Sequence, residues 1–342
     1  MARLGSPLAA ATLVWVVSLG LTGGPAFGRD VKLVVRPQKI SAEVGKYALL
    51  PSAASLTEGD AVPLYEKAAK ALPGKAVDDQ IQKWLRMPTE QLPTDEVEKA
   101  LTQCVESLKC VARAVKCREC KWPAWTPGKP VPYANEYDRL RSALRLWVRS
   151  EIAQENYEGA ILALQIGFGM SRHFTQVPTL AQFTTGVTIN AMMCREVGEF
   201  IQAQEAPNLY AALAALPRPF TDVEKVIESE KKAGAAESSV RLGGAPFEKM
   251  TPSDGVRLLA KRLEVDLAAL QCVEAIRSYA ASHGGQLPPT LAEITEVSVP
   301  NDPMSGQMFR YTRTGATAVL ESPAPTGGDA KDAIRYEITV KN

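Results

Sequence analysis

Cys104, Cys110, Cys117 and Cys120 crowd one short stretch of the chain, and Cys117-Arg118-Glu119-Cys120 forms a CxxC pair. Thiols in such pairs bind zinc, exchange electrons or close a bridge. Zinc wants two such pairs, or a pair with histidines, and the remaining spacing supplies neither. If one helix runs from Asp95 to Val115, Cys104 joins its buried stripe, whereas Cys110 and Cys117 project from the opposite face. Those two stand about 10.5 Å apart along the helix rise, beyond the ~7 Å Cα separation that a disulfide tolerates. Only Cys117 and Cys120 can close locally. They would do so at a helix C-terminus, where the dipole raises a thiol pKa and works against redox chemistry. The expectation is a structural disulfide, between these two or to a distant cysteine. Buried thiols are the next reading, with metal binding and redox catalysis behind. Cys194 and Cys272 fall on apolar helical faces and read as core residues.

The other chemistry-bearing residues are sparse. The two histidines, His173 and His283, each close a helical segment, where an imidazolium satisfies the last carbonyls. The sequence holds no GxSxG, HExxH, P-loop or GxGxxG signature. Glu155 with Glu158, and Glu196 with Glu199, are carboxylate pairs at i,i+3 on one helix face, the spacing a hydrolase would need. Asp302, Asp329 and Asp332 sit in Gly- and Pro-containing loops and are candidate calcium ligands, although such residues more often build turns. Trp122, Trp125, Tyr133 and Tyr137 form an aromatic segment suited to an interface; that the same rings cap the helical core is the favoured of the two readings.

The elements that position these residues are mostly helices. Apolar periodicity predicts them over Ala61–Leu72, from Ile81, over Asp95–Val115 (with Asp95 as N-cap and Glu98 completing a capping box), and over Tyr137–Ala153, Tyr157–Met170, Leu180–Ala203 and Leu209–Leu216. Val223 opens a charged helix, and Leu267–Ser282 an apolar one that stops at Gly284-Gly285. A short helix and strand-like segments follow. Arg3 and the uncharged run Leu8–Leu21, ahead of Gly23-Gly24-Pro25, read as a secretory signal over residues 1–28. That run is shorter than the ~20 residues of a membrane span. The expected organisation is a signal (1–28), an irregular lead-in (29–60), an α-helical domain (61–232), a Gly/Ala/Ser linker (233–246) and an α+β module (247–342). With Lys+Arg at 39 and Asp+Glu at 38, no bulk charge points to nucleic acid or anionic lipid.

Three resemblances add to this. LYEKAAKALP (64–73) and NYEGAILALQ (156–165) resemble the paired helices of tetratricopeptide repeats, without a fixed period. CKWPAW (120–125), the segment ending ILALQIGFGMSRHFTQVPTL, APNLYAALAALPRPFTDVEKVIESE (206–230) and SYAASHGGQLPPTLAEI…PNDPMSGQMFRYTRTG together resemble an uncharacterised family of exported bacterial helical proteins. Lys121, Ala211 and Gly285-Gln286-Leu287 replace an acid, a Trp and a Gly-Arg-Tyr of that pattern. The C-terminal module resembles the globular part of type II secretion pseudopilins, which implies a small α+β fold and sometimes a calcium loop. The pseudopilin assembly helix and its prepilin cleavage site are missing next to the module, so the resemblance implies an accessory domain.

The sequence therefore reads as mainly α, an irregular helical bundle or degenerate TPR-like helix pairs, with a small C-terminal α+β module. The expected role is a non-catalytic, exported interaction or scaffold protein, periplasmic or at the cell surface. Its partner would be another envelope protein, with no nucleic acid and no membrane span once the signal is cleaved. No cofactor is expected, calcium being the one candidate. The alternatives are an envelope hydrolase acting on cell-wall or glycan material and a calcium-stabilised structural module.

Overall fold

The computed structural model describes residues 16–17, 30–43, 45–123, 132–232, 241–242, 250–325 and 333–341. Its strands are β1 (Val16–Val17), β2 (Asp30–Val35), β3 (Thr57–Asp60), β4 (Cys117–Glu119), β5 (Arg241–Leu242), β6 (Arg310–Thr314), β7 (Thr317–Ser322) and β8 (Ile334–Val340). The helices are α1 (Val62–Lys70), α2 (Lys75–Trp84), α3 (Thr94–Gln103), α4 (Val105–Ala114), α5 (Ala134–Ala153), α6 (Tyr157–Thr175), α7 (Leu180–Gln202), α8 (Tyr210–Ala214), α9 (Val223–Lys232) and α10 (Pro252–Ser282). The fold is mainly α with a small C-terminal α+β region.

Local chemistry sets the helix ends. Asn156 accepts from the Gly159 N–H to cap α6, Thr179 caps α7 through the Gln182 N–H, and Thr251 caps α10 through the Asp254 N–H, with Pro252 in its first turn. The expected Asp95 cap is replaced: Pro93 holds the N-cap place of α3, and Asp95 lies inside the first turn, facing the helix dipole. The expected single helix to Val115 is also two helices, meeting at Cys104.

Small residues bring α6 and α7 together. A Cβ on Gly186 would stand 2.6 Å from the Phe174 carbonyl carbon and 2.7 Å from the Thr175 nitrogen, so only glycine fits there. Helix α10 is buried around nearly all of its circumference, as a helix with apolar residues on every side must be. Gly284 and Gly285 then turn the chain at positive φ.

The four-stranded sheet has the order β2-β8-β7-β6. β6, β7 and β8 are antiparallel neighbours, and β2 runs parallel to β8 from Asp30↔Arg335 to Val35↔Val340. The expected irregular lead-in of residues 29–60 is thus corrected. Asp30–Val35 alternates exposed and buried side chains and completes a sheet whose other strands lie at the far end of the chain. One hydrophobic cluster runs from Leu33 and Val35 through α6, α7 and α10 to Ile338 and Val340, so the terminal module and the later helices share a core. A second cluster joins α1–α4 to one side of α5 and α6. A parallel pair, β3 with β4, ties its ends together; the Asp60 carboxylate accepts from the Val62 and Lys121 N–H groups. The expected signal (1–28) and linker (233–246) lie outside the described residues apart from β1 and β5, which pair with each other.

Candidate functional site

The aromatic segment is built into the core. Trp122 stacks on Tyr65 with centroids 5.9 Å apart and meets Phe174 at 4.6 Å and Tyr137 at 6.0 Å. Its Nε1–H donates to the His173 carbonyl at 2.9 Å. Tyr137 is buried, and half-buried Tyr133 packs on it beneath the Lys70 ammonium. The contact-cluster reading is therefore corrected, and the core-capping one holds for Trp122, Tyr133 and Tyr137, which cap the α1/α5/α6 core with Trp122 stacked on Tyr65 and the other rings meeting edge to face. Trp125 lies outside the described residues.

The expected disulfide is absent: Cys117 and Cys120 are free thiols, as are the other four cysteines. The chain from Cys117 is a strand, and residues three apart on a strand point to opposite faces. Cys117 Sγ turns instead toward the Arg113 carbonyl at 3.7 Å. Burial pushes the Cys104 thiol up to about 11 and the Cys120 thiol higher still, which suits neither redox chemistry nor a metal-binding thiolate. Cys110 is buried and not on an exposed face, because the break at Cys104 resets the helical phase. His173 is not an imidazolium. Burial and the neighbouring Arg172 lower its pKa to about 4, and its Nδ1 lies 2.9 Å from the Tyr65 hydroxyl. His283 keeps its place at the end of α10, with Nδ1 2.8 Å from the Tyr279 carbonyl and its ring stacked on Tyr279.

Asp302 is fully buried, and its carboxylate holds its own loop. Oδ1 accepts from the Met304 N–H and Ser322 hydroxyl, Oδ2 from the Ser305 N–H and hydroxyl, and Gly306 completes the turn at positive φ. With four donors aimed at its two oxygens, Asp302 serves its own loop as a turn residue. Asp329 and Asp332 lie outside the described residues, and no cluster among the described residues has the make-up of a metal site.

Neither expected carboxylate pair faces one cavity. Glu196 is buried against Arg145, whose Nε donates to it at 2.8 Å, and burial raises its pKa. Glu199 accepts from the Thr89 hydroxyl at 2.8 Å, and Thr89 in turn accepts from Arg149. Glu155 and Glu158 are both exposed. Two further buried groups are structural. The Glu274 carboxylate takes the Leu209 N–H and Arg277 Nη1, while Arg277 also reaches the carbonyls of Arg36 and Ala206. The Asp266 carboxyl accepts from the Tyr336 hydroxyl at 2.8 Å, and burial pushes its pKa up to about 7.

What remains is a polar groove of about 740 Å³ between β2 and the ends of α5, α6 and α7. Lys32, Arg36 and Lys341 line it from the sheet side, and Glu90, Glu155 and Glu199 from the helical side. Val34, among the few large apolar side chains left exposed, lies along it. Gln202 reaches across to accept the Val34 N–H at 3.0 Å. Tyr157 donates its hydroxyl to the Gln204 carbonyl and so ties the α5–α6 turn to the end of α7. Glu155 and Glu205, in the turns tied by that bond, are non-glycine residues at positive φ, a strained geometry that tends to persist at functional positions. A smaller groove of about 440 Å³ lies between α3–α4 and α5, over Leu101, Val105 and Trp147.

No motif marks the larger groove, because its residues come from 32–36, 88–90, 152–157, 199–204 and 341 and meet only in three dimensions. The one local signal was the polar–apolar alternation of Asp30-Val31-Lys32-Leu33. No helix among the described residues is long and apolar enough to cross a membrane. No family model, curated protein or solved structure matches the chain.

Proposed function

We propose that the protein is a non-catalytic interaction or scaffold protein of the bacterial envelope, periplasmic or at the cell surface, whose partner docks in the groove beside β2. The observation that carries this reading is the groove's two-walled charge, cations on the sheet side and carboxylates on the helical side. Elsewhere the buried charges Glu196, Glu274 and Asp266 are committed to Arg145, Arg277 and Tyr336. Opposed charges steer and orient a complementary partner more than they serve general acid–base work. Export rests on the signal-like Leu8–Leu21 run and on the resemblance to exported proteins; the C-terminal α+β region is read as an accessory domain of the same docking body.

The test is site-specific photocrosslinking in envelope fractions. A photoreactive residue at Val34 gives a discrete, saturable protein adduct. The same residue at Met308, exposed beside the opposite end of the sheet, gives none. Equal labelling at both positions, or none at Val34, contradicts the reading. A second reading, an envelope hydrolase acting on glycan, draws on Glu155 and Glu199 sharing the groove. It requires cell-wall hydrolysis that Glu199→Gln abolishes.

A further inference from the structure

We infer that the groove takes an extended peptide segment of its partner as an added strand on the free edge of β2, an inference that rests on the docking reading above. The sheet order leaves β2 at an edge, and an open strand edge is a template for another strand. Two hydrogen bonds fix which way its backbone points. The Val35 carbonyl accepts from the Lys341 N–H at 2.9 Å, on the β8 side, whereas the Val34 N–H points the other way and donates to Gln202 Oε1. By the two-residue alternation of a strand, the N–H and C=O of Lys32 and the C=O of Val34 also point away from β8.

Gln202 stands where an incoming peptide carbonyl would. Its amide is steadied by its own Nε2–H donating to the Gly198 carbonyl at 2.9 Å, and its main-chain carbonyl accepts from Arg36 Nη1. One side-chain amide covers one donor, not a strand's length of edge. The side chains set the peptide's chemistry. Lys32, Val34 and Arg36 lie at i, i+2 and i+4 and all line the groove. Residues opposite one another on neighbouring strands pair by charge and by apolar contact. The complementary segment therefore reads acid–x–apolar–x–acid, a pattern that is the same in either chain direction. Lys341 adds a third cation on the same wall.

The experiment uses the full chain and a labelled, blocked peptide, acetyl-Thr-Glu-Thr-Val-Thr-Glu-Thr-amide, with binding read by fluorescence anisotropy. The expected result is saturable binding that weakens about tenfold when both Glu become Lys, or in Lys32→Glu/Arg36→Glu protein of unchanged melting temperature. Gln202→Ala, which uncovers the Val34 N–H, tightens binding severalfold. N-methylation of alternate peptide amides separates strand addition from side-chain docking, because methylating one alternate set abolishes binding and methylating the other is tolerated. Absence of binding, or equal effects of the two sets, overturns strand addition. If the Val34 crosslink persists in that case, docking stands and only its mode is refuted; loss of the crosslink refutes docking itself.

Discussion

Replacing Arg277 by Met tests how the two ends of the chain are held together. Arg277 and Glu274 form an ion pair with side chains 1% and 0% exposed. The guanidinium also donates to the Arg36 carbonyl at 3.0 Å and the Ala206 carbonyl at 2.9 Å, linking β2's exit to the α7–α8 connection. Met keeps most of the volume but strands the Glu274 carboxylate in the interior and leaves two carbonyls without their donor. Breaking one side of such a pair costs about 3–5 kcal/mol. For a chain of this length the unfolding entropy is about 0.7 kcal/mol/K, so the melting temperature falls by about 6 °C. Glu274→Gln in the Met background removes the stranded charge while keeping an acceptor for the Leu209 N–H. The double variant therefore recovers about half of the loss. Urea unfolding monitored by far-ultraviolet circular dichroism gives both numbers. A loss below about 1 kcal/mol for Arg277→Met, or a double variant no more stable than the single, would refute the reasoning.

Three further outcomes follow from the same geometry. Burial raises the Asp266 carboxyl from the ordinary aspartate value of 3.8 to about 7, so the native state binds a proton that the unfolded state releases. The stability this contributes is full below about pH 4 and is lost as pH rises to 7, to the extent of about 4 kcal/mol; Asp266→Asn flattens that part of the urea-midpoint profile, and an unchanged profile counts against it. In α7, Gly186→Ala drives a Cβ into the backbone of α6 and destabilises by about 2–3 kcal/mol. Gly198→Ala meets only Leu33 at 3.6 Å and stabilises by about 0.5–1 kcal/mol; effects of the same sign at both sites would contradict the packing. Because donors fill the Asp302 carboxylate, chelation with EDTA leaves the melting temperature unchanged, and a calcium-dependent rise would reverse that assignment.

The helical body was legible in the sequence because α5, α6 and α7 carry long apolar periodicity, and that signal is local. β2 was not, since six residues cannot announce a partner some 300 residues away. Nor could periodicity show that Cys104 breaks the α3–α4 run, a break that moved Cys110 inward, or that the CxxC beyond α4 becomes a strand by pairing with β3. The aromatic segment was legible as a cluster and as a core cap, but its partners were not, because Tyr65 and Phe174 come from α1 and α6. The groove carried no motif at all. Its cations and carboxylates belong to distant segments, and only the pairing of β2 with β8 places them on facing walls.

The most direct test of docking beside β2 is amide hydrogen exchange on the full chain, alone and with the envelope partner crosslinked through Val34. Docking there slows exchange at Lys32 and Val34, the amides turned away from β8, and leaves β6 at the other edge unchanged. Unchanged exchange over Asp30–Val35, or protection confined to the α3–α5 groove around Val105 and Trp147, would contradict it.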